Sequence, residues 1–128
     1  MNEIEQNFIK RYVIRDKQER YLAFLSKDKT RSKFTRELHY LKDLNWKLFR
    51  EIPGNEIVSK AILAMLNSNN IISNCHVISY WKDIDGKALS IDDAISNIVG
   101  REDTVIIFGN SDFIYYEGEA PHNRYISV

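Results

Sequence analysis

The sequence predicts an α+β domain in which N-terminal helices pack on a C-terminal sheet of three to four strands, mostly antiparallel or mixed, with one helix inserted between the first two strands. Three observations carry this expectation. Apolar residues recur at helical spacing through the first half, short β-branched and aromatic runs replace them in the second, and the helices precede the strands. A chain of 128 residues buries roughly two-thirds of its unfolded surface, which suits one globular domain over residues 1–128. At 44% apolar and 28% charged residues the composition is globular, and no Pro, Gly or Ser linker divides it.

Ile4, Phe8 and Tyr12, with Ile9 and Val13 alongside, form one face of a helix over 2–15. Behind Asp16 as cap, Tyr21, Leu22, Phe24 and Leu25 mark a second helix over 16–26 that can run on from the first. Thr30 caps a third, ending near Lys42, with Phe34, Leu38 and Leu41 on one stripe. Leu44, Trp46, Leu48 and Phe49 suit either a short helix or a buried irregular segment, and Pro53-Gly54 closes it. Asn55 then caps a helix in which Ile57, Ala61, Ala64 and Met65 make one row. Val58, Ile62 and Leu66 widen that stripe until both flanks require cover.

The period then changes. Residues 75–81 read as a strand ended by the turn Asp83-Ile84-Asp85-Gly86, and residues 104–108 as a strand buried on both faces. Between them Ser90 opens a helix that turns Ile91, Ala94, Ile95 and Ile98 inward and stops at Gly100. Gly109 to Asp112 form a hairpin turn into a strand over 113–116, and a last strand covers 124–128.

Net charge is zero, which excludes a strongly basic nucleic-acid binder, yet the charge is split. Residues 1–50 hold 13 Lys and Arg against 7 Asp and Glu, and residues 51–128 hold 5 against 11. The halves partly face each other in the fold, simply sit in solvent, or present a divided surface to a charged partner. A single cysteine, Cys75, makes no internal disulfide, and the opening residues MNEIEQNFIK lack the apolar run of a signal peptide. No stretch reaches the roughly 18 apolar residues of a membrane span. A cytoplasmic protein without a membrane partner is expected.

The densest polar set is Tyr115-Tyr116-Glu117-Gly118-Glu119-Ala120-Pro121-His122-Asn123-Arg124. On an extended chain Glu117 and Glu119 project to one face about 7 Å apart, and His122, folding back at Pro121, would complete a metal or acid/base site. The competing reading is a solvated loop in which Arg124 pairs with one carboxylate. Asp83-Ile84-Asp85-Gly86 resembles the start of a calcium loop, but Lys87 and Ala94 stand where that loop needs oxygen ligands, so a tight turn capped by aspartates is expected. Cys75 and His76 are adjacent and point to opposite faces of a strand, which separates thiol from imidazole. No phosphate-loop, dinucleotide, nucleophile-elbow or zinc motif is present. No cofactor and no metal is expected.

Lys29, Arg31, Lys33 and Arg36 make a basic run able to contact phosphates, although Phe34 among them belongs to the apolar stripe. Seven Tyr, six Phe and two Trp give a large aromatic load. Tyr80-Trp81 and Tyr115-Tyr116 each place one ring on either face of a strand, so both pairs are candidate interface residues.

Residues 15–41, IDGKALSIDDAISNIVG at 84–100 and YYEGEAPHNRYI at 115–126 are similar to those of small bacterial single-domain proteins with no assigned activity. The resemblance implies a whole single-domain bacterial protein and carries over no function. The absence of catalytic motifs leads instead to a non-catalytic protein-binding module, antitoxin-like or immunity-like. The alternatives are a small enzyme or metal-binding protein at Glu117, Glu119 and His122, and a nucleic-acid binder through residues 27–36.

Overall fold

The computed structural model describes residues 2–70, 74–119 and 123–128. Asn2 accepts a hydrogen bond from the Glu5 amide and opens α1 (Glu3–Tyr12), whose buried row is Glu5, Phe8, Ile9 and Tyr12. The chain is extended at Val13 and Ile14, where Ile14 N donates to Asp43 O and Asn45 N to Tyr12 O. These bonds separate α1 from α2 (Arg15–Leu25), so the two are not continuous. Lys27 precedes α3 (Asp28–Thr35) and its carbonyl accepts from the Thr30 and Arg31 amides. Thr30 therefore lies inside the helix, its hydroxyl donating back to Phe24 O at 2.8 Å, rather than capping it. A 3-10 turn, Arg36–His39, completes this half.

The remaining elements are a second 3-10 turn (Trp46–Leu48), β1 (Phe49–Glu51), α4 (Val58–Asn69), β2 (Cys75–Ser79), β3 (Ala88–Leu89), α5 (Ile91–Asp93, continued by a π turn, Ala94–Ile98), β4 (Thr104–Phe108), β5 (Phe113–Glu117) and β6 (Arg124–Ser127). Among the described residues six strands form one antiparallel sheet in the order β1-β6-β5-β4-β2-β3. The α+β class is as predicted, but the sheet has six strands rather than three or four. The two unpredicted strands are the edges. With three and two residues, β1 and β3 are too short to show a period, and short edges also limit pairing with other chains.

Both faces of the sheet are covered. Val105 and Ile107 of β4, with Ile78, Ile114 and Tyr116, pack against Phe8, Ile9, Tyr12, Tyr21, Phe34 and Leu38 from the N-terminal helices. Ile106 and Phe108, with Val77, Phe113, Tyr115 and Ile126, pack against Val58, Ala61, Ile62 and Leu66 of α4 and Ala94 and Ile98 of α5. Alternate residues of one strand thus enter opposite cores, which is why TVIIF carries no polar face. Helices lie on both sides of the sheet, and the helix expected between the first two strands, α5, instead joins the third strand, β3, to β4, while α4 stands between β1 and β2.

Contrary to expectation, α4 is covered on one side. Ile57 rather than Asn55 occupies the N-cap position, without a side-chain hydrogen bond, and is 56% exposed, while Leu63 is 48% exposed. The breadth of its apolar stripe exceeds the surface that the sheet offers. Ser90 caps α5 by accepting from the Asp93 amide, and Gly100, at φ +100°, ends it in a conformation that disfavours any side chain.

Candidate functional site

Four ionisable residues from four segments meet beside β2. Glu5 of α1 takes two hydrogen bonds from Arg31 of α3, at 2.8 and 2.7 Å, and a third contact from His76 Nε2 at 2.7 Å. Arg31 also donates to Asp85 at 2.6 and 3.0 Å, and Asp85 accepts from the Ser79 amide at 2.9 Å. Burial alone would raise the Glu5 pKa, but the hydrogen bonds from Arg31 and His76 outweigh it and hold the carboxyl at about 2. The Glu5 hydrogen bonds, with those of Asp85, push Arg31 in the opposite direction, further above its already high value. Arg31 comes from the basic half and Asp85 from the acidic half, so the split charge is partly spent within the fold.

Arg31 and Asp85 of this network line the floor of an open groove of about 680 Å³. On one wall α3 and the residue after it contribute Asp28, Arg31, Ser32, Thr35 and Arg36, spaced so that they share a helix side. The opposite wall is the chain leaving β2, with Tyr80, Trp81 and Lys82. Tyr80 is 43% and Trp81 41% exposed, their ring centroids 5.3 Å apart at 84°. Trp81 is fixed by hydrogen bonds from its indole to Glu102 O and from its amide to Ser79 Oγ, and Arg101, paired with Asp83, lies 5.9 Å above its ring. Among the described residues the side chains of Arg36 and Lys82 make no ion pair.

Beside the groove, His39 Nδ1 lies 2.8 Å from Asp103 Oδ2, and the His39 ring packs 5.1 Å from that of Tyr80. Asp103 is buried in the left-handed conformation, at φ 59°, with Oδ1 unpartnered among the described residues. Burial raises its pKa, and His39 acts against that rise. The pair could accept or release a proton. Among the described residues no hydroxyl or thiol is hydrogen-bonded to the imidazole.

Of the residues predicted as an acidic site, Glu117 and Glu119 stand in different surroundings and His122 is not described. Glu117 is buried, accepting from Tyr115 Oη at 2.5 Å and from the Gly100 amide at 3.2 Å, which ties β5 to the end of α5. Glu119 is exposed, its amide donating to His39 O, and His122 lies outside the described residues. Arg124 donates to Pro53 O at 2.7 Å rather than pairing with either carboxylate. Among the described residues no three His, Cys, Asp or Glu are placed to hold a metal. Burial pushes the Cys75 thiol up to about 11.

Of the basic run, Arg31 is held in the ionic floor and Arg36 lines the groove. Lys29 is exposed on another side of α3, and Lys33 lies over the Phe24 ring at 5.8 Å. Of the aromatic pairs, Tyr80 and Trp81 stand at the groove, but Tyr115 and Tyr116 are buried because both faces of the sheet are covered. Tyr116 Oη donates to Leu38 O and accepts from Leu41 N, fastening the 3-10 turn to β5. Sequence reasoning missed Glu5 and Lys82 and read Asp85 as a turn residue only. One signal for Glu5 was present: it stands at i with Phe8, Ile9 and Tyr12 at i+3, i+4 and i+7, a carboxylate on an apolar stripe.

Comparison with protein-family models, with curated proteins and with solved structures yielded no match to this chain.

Proposed function

We propose that the protein is a non-catalytic binding module that docks a segment of a protein partner in the groove between α3 and the chain after β2. The observation that carries this reading is the pairing of two exposed, orthogonal aromatic rings, Tyr80 and Trp81, with a floor locked by Arg31, Glu5 and Asp85. Interface energy concentrates in aromatic and arginine side chains held rigid before the partner arrives, because little conformational entropy is then lost on binding. The volume falls within the range of about 300–1,000 Å³ usual for ligand sites. No helix among the described residues is long and apolar enough to cross a membrane, and the single, buried cysteine fits a reducing, cytoplasmic setting.

An enzyme reading has one observation in its favour, the His39 and Asp103 pair. With no hydroxyl or thiol hydrogen-bonded to the imidazole among the described residues, it ranks second. Selection from a random peptide library, with counter-selection against a Tyr80→Ala/Trp81→Ala variant, tests the leading reading. Enriched peptides should bind the parent protein and lose binding to the variant; enrichment of peptides indifferent to both rings would count against it.

A further inference from the structure

We infer that the occupant of this groove is an extended acidic segment of the partner protein, an inference that rests on the groove being the docking surface. The charges at the groove decide it. Arg31 is engaged by both Glu5 and Asp85, whose two carboxylates exceed its single charge, and Arg101 is engaged by Asp83, so neither guanidinium is free to meet a ligand. Arg36 on the α3 wall and Lys82 on the opposite wall make no ion pair among the described residues, and Asp28 is the one lining carboxylate outside the ionic floor. A segment lying between the walls meets a cation on each side. Carboxylates answer both, with Arg36 able to bind one in two-pronged fashion and Lys82 acting as a point charge.

A nucleic acid fits the same cations less well. Stacking of successive bases needs open, roughly parallel ring faces and a line of cations along the backbone. Here the two rings stand at 84° to each other, the Trp81 ring has Arg101 above it, and the Tyr80 ring packs against His39. Lys29 and Lys33, which would extend the cationic line, lie outside the groove lining. What the rings offer is apolar surface between two charges, suited to an apolar residue flanked by acidic ones.

The test uses a Trp46→Phe background, which leaves Trp81 the only tryptophan, and follows its fluorescence. The probes are capped peptides of about eight residues alternating Glu with Leu, Gln with Leu or Lys with Leu, and an oligothymidylate of similar length. The acidic peptide should bind at least about tenfold more tightly than its Gln counterpart and weaken with salt. Arg36→Glu and Lys82→Glu, both at the surface and checked for an unchanged melting temperature, should each lower its affinity about tenfold. Equal binding of the Glu and Gln peptides, or tighter binding of the oligothymidylate, would overturn the acidic occupant while leaving the groove as a site. If no probe perturbs Trp81, the docking reading itself fails with it.

Discussion

Arg31 and Glu5, 26 residues apart, meet through two parallel hydrogen bonds of 2.8 and 2.7 Å and so bind α3 to α1 beneath the groove. Removing one partner leaves a buried charge uncompensated, a change that typically costs about 3–5 kcal/mol. Arg31→Met should therefore destabilise the protein by about 3 kcal/mol or more in equilibrium denaturation. Arg31→Lys should recover little, since an ammonium cannot serve Glu5 and Asp85 with two bonds each. Full recovery by lysine would show that the geometry of the pair is immaterial.

The same carboxylate sets a pH dependence. The folded-state pKa of Glu5, about 2, lies below the ordinary value of 4.5, so its contribution is present above pH 4.5 and is lost as pH falls toward 2. A depression of this size corresponds to roughly 3 kcal/mol. Stability measured from pH 6 to 2 should fall more steeply for the parent than for Glu5→Gln. Parallel curves would remove Glu5 from the account.

In the centre of the sheet, Ile106 faces the core formed by α4 and α5 and is wholly buried. Ile106→Asp should cost more than about 3 kcal/mol by placing an unpaired carboxylate there. Leu63→Lys, on the open side of α4, should change stability by no more than about 0.5 kcal/mol. Comparable losses at the two positions would contradict the assigned faces.

Gly118 is needed for close approach. A Cβ there would stand 2.8 Å from Tyr116 Oη and 3.1 Å from His39 O. Gly118→Ala should destabilise by about 1–3 kcal/mol, and adding Tyr116→Phe, which removes the nearer atom, should make the pair less than additive. Strict additivity in a double-mutant cycle would place the strain elsewhere.

How much of this was legible depends on the range of the interactions. The strand at Thr104–Phe108 was plain because five consecutive apolar or β-branched residues suit a strand covered on both faces. The edges β1 and β3 were not, since FRE and AL acquire strand geometry only from their partners β6 and β2. At the site, Tyr80 and Trp81 announced themselves as rings at the end of a strand. Arg31 stood out only as one cation in a basic run, because its partners lie 26 and 54 residues away and leave no local pattern. Tyr115, Tyr116 and Glu117 misled for a related reason. A second layer of helices over the sheet turns Tyr115 into core where a two-layer fold would leave it exposed, while Tyr116 is buried under the N-terminal helices and fastened to Leu38 and Leu41.

The claim that the groove is the docking surface is tested most directly by mapping amide chemical shifts while titrating a library-selected peptide into the labelled protein. The account predicts shifts concentrated at Arg31, Ser32, Thr35 and Arg36 and at Ser79 to Lys82. Shifts gathered instead on the exposed side of α4, around Ile57 and Leu63, or along β1 would contradict it.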